Sequence, residues 1–420
     1  MELINDQYTL QGISLLKLAE EYGTPLYVYD AAKMLAKLQQ LQSAFTGINM
    51  KVKFAIKSLS NINVLRFFRQ QNIGVDVVSI QELYLAQRAG FAAKDIMFTP
   101  NCVGFDEIEK AIELGIPVNI DNIAQLEIFG HKYGNKVPIC IRINPHLIGG
   151  GNHKIQTGHI DSKFGISILQ MRHLHRVVSA NNINVHGLHV HTGSDILDAN
   201  VFLNGANIIL DAAREFDNLE FIDFGSGFKV AYQQGDNITD IAHLGKKMTE
   251  TVQQFCKDYG KELEIWFEPG KFLVSEAGHF LVKTNVVKQT PATTFAGVDA
   301  GLNHLIRPMM YDAYHNIKNI SNPKGQQRVY DVVGYICETD TLGNDRKLNE
   351  VRVGDILSIQ NAGAYCFSMS SNYNSRYRPA EILIHKGEAH LIRQREKFED
   401  LLRNQIELDL FEPEKLQLNK

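Results

Sequence analysis

The chain has 420 residues, 44% of them hydrophobic and 21% charged, with a formal net charge of −4. That length calls for about two or three domains, and that composition excludes disordered, collagen-like and coiled-coil chains. The charge is too balanced for an electrostatic nucleic-acid binder, no stretch approaches the roughly 20 apolar residues of a membrane span, and the opening Met1-Glu2-Leu3-Ile4-Asn5-Asp6 lacks the basic and apolar regions of a signal peptide.

A short strand at 25–29 comes first. β-rich runs closed by turn or polar residues then recur at 52–57, 74–79, 96–100, 117–121, 139–144, 185–191, 221–225 and 265–268. Helical patterns lie between them, as at 63–68, 81–86 and 106–114, with apolar residues at three- and four-residue spacing. Eight such alternations predict a (β/α)8 barrel of the TIM type rather than an open doubly wound sheet, and the strand at 25–29 is in a position to pair with it. An insertion at 146–163, carrying Gly149-Gly150-Gly151-Asn152-His153, reads as a functional loop. After Gly270 the alternation stops. Strands are expected at 280–287, 327–336, 355–359 and 380–384, with a closing helix over 393–410, which makes a second, mainly β domain of sandwich or Greek-key type. The five cysteines (Cys102, Cys140, Cys256, Cys337, Cys366) are scattered and form no C-x-x-C pair. They point to a reducing cytoplasm rather than a disulfide framework or zinc knuckle.

In a barrel of this kind the chemistry sits at the C-terminal ends of the strands. There stand Lys57 after the first strand, His191 after the sixth, Gly225-Ser226-Gly227 after the seventh and Glu268 after the eighth. A lysine closing the apolar run Phe54-Ala55-Ile56 is desolvated, which lowers its pKa and makes it a candidate Schiff-base amine; taken alone, such a lysine more often snorkels to solvent. His189 and His191 alternate and so share a face. They read as a metal pair, as an imidazole stacked on an aromatic cofactor, or as hydrogen-bonded core histidines. Thr192-Gly193-Ser194 and Gly225-Ser226-Gly227 offer hydroxyls and backbone N–H groups to a phosphate, although a lone G-x-G is a weak signal. Glu268 in Glu268-Pro269-Gly270-Lys271 could hold a proton on a pyridine nitrogen, or sit in an ordinary strand-end salt bridge. In the β region, Arg307 is suited to clamp a carboxylate, while Cys337-Glu338 offers a proton donor beside an ammonium partner. Cys337 alone reads more simply as a buried strand cysteine.

The motifs Phe54-Ala55-Ile56-Lys57, His189-Val190-His191-Thr192-Gly193-Ser194, Glu268-Pro269-Gly270, Leu305-Ile306-Arg307-Pro308, Cys337-Glu338-Thr339-Asp340 and Gly363-Ala364-Tyr365 stand in an order that resembles the diaminopimelate decarboxylases, of the alanine-racemase-fold group of pyridoxal-phosphate enzymes. The resemblance runs from Tyr27 to Ile384. It implies a lyase that decarboxylates meso-2,6-diaminopimelate to L-lysine, with pyridoxal 5′-phosphate and without a metal. Implied cofactor contacts are Lys57, His191, Ser194, Gly225, Gly227, Glu268, Gly270, Lys271 and Tyr365. Implied substrate contacts are Lys271, Arg307, Tyr311, Glu338 and Tyr365, with Cys337 as proton donor. It also implies a homodimer whose sites are completed by Cys337 and Glu338 of the partner subunit, and a division into a barrel at 31–280 and a β domain made of 1–30 plus 281–420. Two departures stand out: lysine at 271 where the family usually has arginine, and Ser226 within the phosphate loop. Lysine lacks arginine's planar fork, so a single hydrogen bond or a water bridge is expected from Lys271 in place of a bidentate contact. Rival readings are a metal-dependent barrel hydrolase using His-x-His, a non-catalytic pyridoxal-phosphate carrier, and decarboxylases of ornithine, arginine or a carboxy-polyamine.

Overall fold

The structure, a computed structural model, describes residues 1–147, 158–191, 193–233, 235–408 and 410. The glycine run at 149–151 and Thr192 therefore lie outside the described residues.

Eight parallel strands form a closed ring. They are β1 (Met50–Ala55), β2 (Gly74–Val77), β3 (Ile96–Phe98), β4 (Asn119–Ile120), β5 (Ile139–Asn144), β6 (Val185–His189), β7 (Phe221–Asp223) and β8 (Glu264–Phe267). Each pairs in parallel with the next, β3 and β4 through the single bridge Phe98–Val118, and β8 returns to β1 with Ile265 opposite Met50. The expected (β/α)8 barrel is present. Its helices are amphipathic: Ile62–Gln70, for example, buries Val64, Leu65, Phe67 and Phe68. The helix after β8 is only Lys271–Val274, and the helix that precedes β1, Ala31–Ala44, packs against Ile241–Tyr259 and beside that short helix, filling its place in the ring.

Strand alternation sorts the barrel interior into layers. Low in the barrel, Met97, Cys140, Phe221 and Trp266 form a buried cluster, with Phe221 stacked on Trp266 at 3.6 Å and the Lys53 ammonium 4.3 Å from the Trp266 ring. Gly187 of β6 faces this plug. A Cβ there would lie 2.1 Å from the Phe221 ring, so the stack requires glycine. Two residues further along most of the strands the lining turns polar.

The second region is mainly β, as expected, and is organised on the long strand Gly278–Gln289. It pairs antiparallel with Leu26–Asp30, Ile356–Gln360 and Thr294–Val298. Leu26–Asp30 also pairs in parallel with Ala380–His385. The N-terminal strand thus joins this sheet and not the barrel, because its alternate residues Leu26 and Val28 pack with Leu281, Ile382 and Ile384 in a separate core. The expected closing helix over 393–410 is also corrected: Glu388–Arg393 is a strand hairpinned onto Ala380–His385, followed among the described residues only by the short helix Phe398–Leu402. Thr341–Asn349, paired with Gln327–Val333, escaped the sequence reading because most of its length is polar and at least partly solvent-facing.

Candidate active site

Alternate residues climbing from the apolar plug converge on one cavity of about 740 Å3 at the C-terminal face of the barrel. Ala55 and Lys57 follow Lys53; Thr99 and Asn101 follow Met97; Arg142 follows Cys140; His189 and His191 follow Gly187; Glu268 and Gly270 follow Trp266. Helix Arg307–Tyr311 and Tyr365 close the cavity from the β region.

Lys57 Nζ lies 2.7 Å from Oδ2 of Asp76, a carboxylate wholly buried in β2. Burial disfavours the ammonium, but Asp76, Tyr365 and Glu268 reverse that and hold Lys57 above the usual lysine range. The expected lowering is overturned: a lysine opposite a buried acid keeps its proton. Glu268 is buried beside His189, with Nε2 3.3 Å from Oε2. Burial alone would raise its carboxyl, yet His189 and Lys57 keep it well below the usual range and ionised. Its other oxygen, Oε1, is buried with no hydrogen-bond partner among the described residues. His191 follows the strand end, and burial together with Arg142 and Lys57 pushes it down to about 3, so its imidazole is neutral. The two histidines line one cavity, as alternation requires, but divide their work. His189 is engaged by Asn119 at Nδ1, 2.8 Å away, and His191 Nδ1 accepts from the Ser226 N–H at 3.3 Å.

Among the described residues, the histidine–carboxylate group close enough to compare with a metal site is His189, Asp223 and Glu268, and it does not include His191. Burial and the neighbouring Glu268 push the Asp223 carboxyl well above the carboxylate range, and its Oδ1 accepts from the Gly225 N–H at 2.8 Å. An acid whose Oδ1 is held by the backbone N–H of the glycine turn suits a loop support better than a ligand.

Ser194, Ser226 and Gly227 come together at one wall of the cavity, which Gly225, the first residue of the turn, does not line. Gly227 has φ +123°, and a Cβ would stand 2.3 Å from the Gly193 carbonyl oxygen, so two glycine backbones meet there with no room for a side chain. Lys271 donates to both oxygens of Asp195 at 2.9 Å, a pairing that replaces the expected single contact. Burial pulls its ammonium below the ordinary lysine range, with Asp195 opposing. Arg307 is buried; Nη2 donates to the Tyr232 hydroxyl at 3.2 Å, and Nε has no partner among the described residues. The Tyr232 hydroxyl lies 3.0 Å from Ser275 Oγ, and burial pushes it up to about 12. Tyr311 and Tyr314 also line the cavity. Cys337 and Glu338 do not. Both are exposed, Cys337 beside Asn374 (3.3 Å) and Glu338 accepting from the Tyr373 hydroxyl (2.8 Å). The reading of Cys337 as a buried strand cysteine falls with this.

Asp76, Arg142, Asp195 and Tyr232 were not singled out from sequence. The first two carried a signal, as charges set within otherwise apolar strand runs; the other two lie outside any periodic pattern.

These residues fit pyridoxal phosphate on the structure's own terms. A buried ionised carboxylate with an unpaired oxygen, a neutral imidazole, an amine and a glycine-lined turn answer respectively a ring N–H, an aromatic face, an aldehyde and a phosphate. The comparisons agree. The family model "pyridoxal-dependent decarboxylase, pyridoxal binding domain" matches residues 31–275. The chain is 37% identical over 415 residues to a diaminopimelate decarboxylase of Methanothermobacter thermautotrophicus, covering 96% of each, and 34% identical to that of Bacillus subtilis, covering 95% and 94%. Among solved structures, the Methanocaldococcus jannaschii diaminopimelate decarboxylase superposes with a TM-score of 0.88 at 32% identity, covering 97% of this chain and 98% of that one. The Helicobacter pylori enzyme complexed with L-lysine does so with 0.85 at 30% identity, covering 92% and 98%. With this match over residues 31–275 and these relatives over nearly its whole length, the chain belongs to the pyridoxal-dependent decarboxylases.

Proposed function

We propose that the protein decarboxylates meso-2,6-diaminopimelate to L-lysine and carbon dioxide. The observation that carries this substrate is Arg307, a buried guanidinium with unused donors in the same cavity as Lys57 and Glu268. An amino acid without a distal carboxylate would leave that charge unanswered. The relatives named above support the same substrate. Stereochemistry is then set. L-lysine retains the L-centre, so the D-centre loses its carboxylate beside Lys57, and the L-centre carboxylate is the one facing Arg307 and Tyr311.

When bound, pyridoxal phosphate supplies the electron sink for the pair left by the departing carboxylate. Lys57 is the amine that attaches it, and Asp76 holds Nζ in place when that amine is free. Glu268 Oε1 would hold the proton on the ring nitrogen, and the neutral His191 would offer its imidazole face to the ring without adding charge. Ser194, Gly225, Gly227, Gly270 and Tyr365 would hold the phosphate, and Lys271 would face either it or the distal carboxylate of the substrate. The carbon that has lost its carboxylate needs a proton, and no thiol lines this chain's cavity among the described residues. In a homodimer, Cys337 of the partner subunit supplies it from Sγ, and Glu338 of the partner subunit receives the distal ammonium. Their exposure here, beside the exposed Tyr373, supports that assignment. Within the same reading the barrel spans 31–280 and the β domain 1–30 plus 281–420, with the strand Gly278–Gln289 straddling the boundary. Five unpaired cysteines support a reducing cytoplasm. Among the described residues no helix is long and apolar enough to cross a membrane.

The test is carbon dioxide release by the protein with pyridoxal phosphate and a panel of diamino acids. Turnover of meso-diaminopimelate is expected. Turnover of ornithine in its place would overturn the substrate.

A further inference from the structure

Lys271 and Asp195 face each other across the cavity wall, their side chains only 10% and 22% exposed. The ammonium gives one N–H to each carboxylate oxygen, both at 2.9 Å, which leaves one donor of its three. The backbone at Asp195 is tied to the glycine turn. Its φ of +62° is a conformation aspartate tolerates and β-branched residues do not. The next residue is clamped to the glycine turn, Ile196 N–H to Gly227 O at 2.8 Å, and Thr239 Oγ1 donates to Ile196 O at 2.6 Å. Ser194 precedes it in the chain, and the charge of Arg307 lies close enough to be felt by both members of the pair.

We propose that Asp195 is a positioning residue for an oxyanion site: it fixes Lys271 Nζ in one place, so that lysine and aspartate together supply the directed donor a single arginine would supply through its planar fork. An unattended lysine is a flexible point charge that loses rotamer freedom on being held. Buried without a partner, it also tends to lose its proton. Asp195 answers both deficits. The oxyanion is either the cofactor's phosphate or the distal carboxylate of the substrate, which share this chemistry. The inference rests on the proposed function, and the experiment separates the two.

The test compares wild type, Asp195→Asn, Lys271→Arg and the double variant. Each is measured for pyridoxal phosphate affinity of the apo-protein by absorbance, with pyridoxal as the control that lacks the phosphate, and for KM and kcat on meso-diaminopimelate at saturating cofactor. Asp195→Asn is expected to weaken one of these about tenfold or more, with Lys271→Arg restoring it to within about threefold in the double variant, because arginine brings its own fork. If phosphate is the anion, pyridoxal phosphate affinity falls while pyridoxal affinity does not. If the distal carboxylate is the anion, KM rises while kcat and cofactor affinity hold. Asp195→Asn indistinguishable from wild type, or a defect that Lys271→Arg does not repair, overturns the inference. A wild type that binds no pyridoxal phosphate sinks the functional reading instead.

Discussion

Replacing Arg307 with methionine, which keeps the volume and removes the charge, isolates what the distal end of the cavity does. Of the guanidinium's five N–H donors, one goes to the Tyr232 hydroxyl, and Nε has no partner among the described residues. Enough therefore remain for a two-point contact with a carboxylate. Hydrogen bonds between charged groups contribute about 1.5–3 kcal/mol each, so losing two costs about 3–4 kcal/mol after partial replacement by water, or two to three powers of ten in kcat/KM. Collateral damage is limited because Tyr232 keeps Ser275 as a partner. The assay uses a matched pair of inhibitors. L-lysine carries the distal carboxylate, whereas cadaverine has the same carbon chain and terminal amines without it. In the methionine variant, kcat/KM for meso-diaminopimelate and the affinity for L-lysine should fall together while cadaverine inhibition stays within about threefold of wild type. If cadaverine binding collapsed in parallel, Arg307 would be acting through the architecture of the cavity and not through the carboxylate, and the assignment would be refuted.

Lys57→Ala should abolish both turnover and the visible absorbance of the bound cofactor; wild-type turnover in that variant would remove Lys57 from the chemistry. Mixing inactive Lys57→Ala with inactive Cys337→Ala and allowing subunit exchange should restore roughly a quarter of wild-type activity, since half the dimers are mixed and each has one intact site of two; no recovery would place Cys337 outside a shared site. Gly227→Ala forces a Cβ to 2.3 Å from the Gly193 carbonyl at φ +123°, so its pyridoxal phosphate affinity should fall at least about tenfold with the fold intact by circular dichroism; unchanged affinity would remove the turn from the phosphate site. Acid should destabilise the protein through its buried histidines. Burial pushes His191, His279 and His315 each down to about 3 and His304 to about 4. As pH falls below the ordinary histidine value near 6.5, the unfolded chain takes up protons that the folded chain refuses, so stability drops by about 1.4 kcal/mol per pH unit for each of the four. Thermal melting should move to lower temperature from pH 7 to pH 5, and a flat profile would contradict these burials.

How much of this could be read beforehand depended on whether a residue's position follows from local periodicity. Lys57, His191 and Glu268 close apolar runs, and period-two alternation from the plug residues Lys53, Gly187 and Trp266 leads to each of them, so strand pattern alone placed them at one mouth. The same rule reaches Asp76 and Arg142, each a lone charge between buried apolar neighbours. Reading them out would also have corrected the charge state of Lys57, whose raised pKa depends on an acid nineteen residues away across one strand pair. Asp195 and Tyr232 are different in kind. They lie in connections without periodicity, and each acquires its meaning only from the residue it meets, Lys271 in one case and Arg307 and Ser275 in the other. The misplacements in the β region have a related cause. Glu388–Arg393 is an edge strand with no fully buried residue whose pairing with Ala380–His385 supplies the order its own composition does not, and Leu26–Asp30 joins the β region because its partners stand some 250 and 350 residues further along the chain. The departure at 271 shows the same limit at the level of chemistry. From sequence, lysine for arginine is the loss of a fork; in the fold, an aspartate held at φ +62° puts a carboxylate across both of two ammonium hydrogens and leaves the third to be aimed. A substitution that looks like a weakened contact in one dimension is therefore, in three, half of a two-residue replacement, and the variant that tests it is at position 195 rather than at 271.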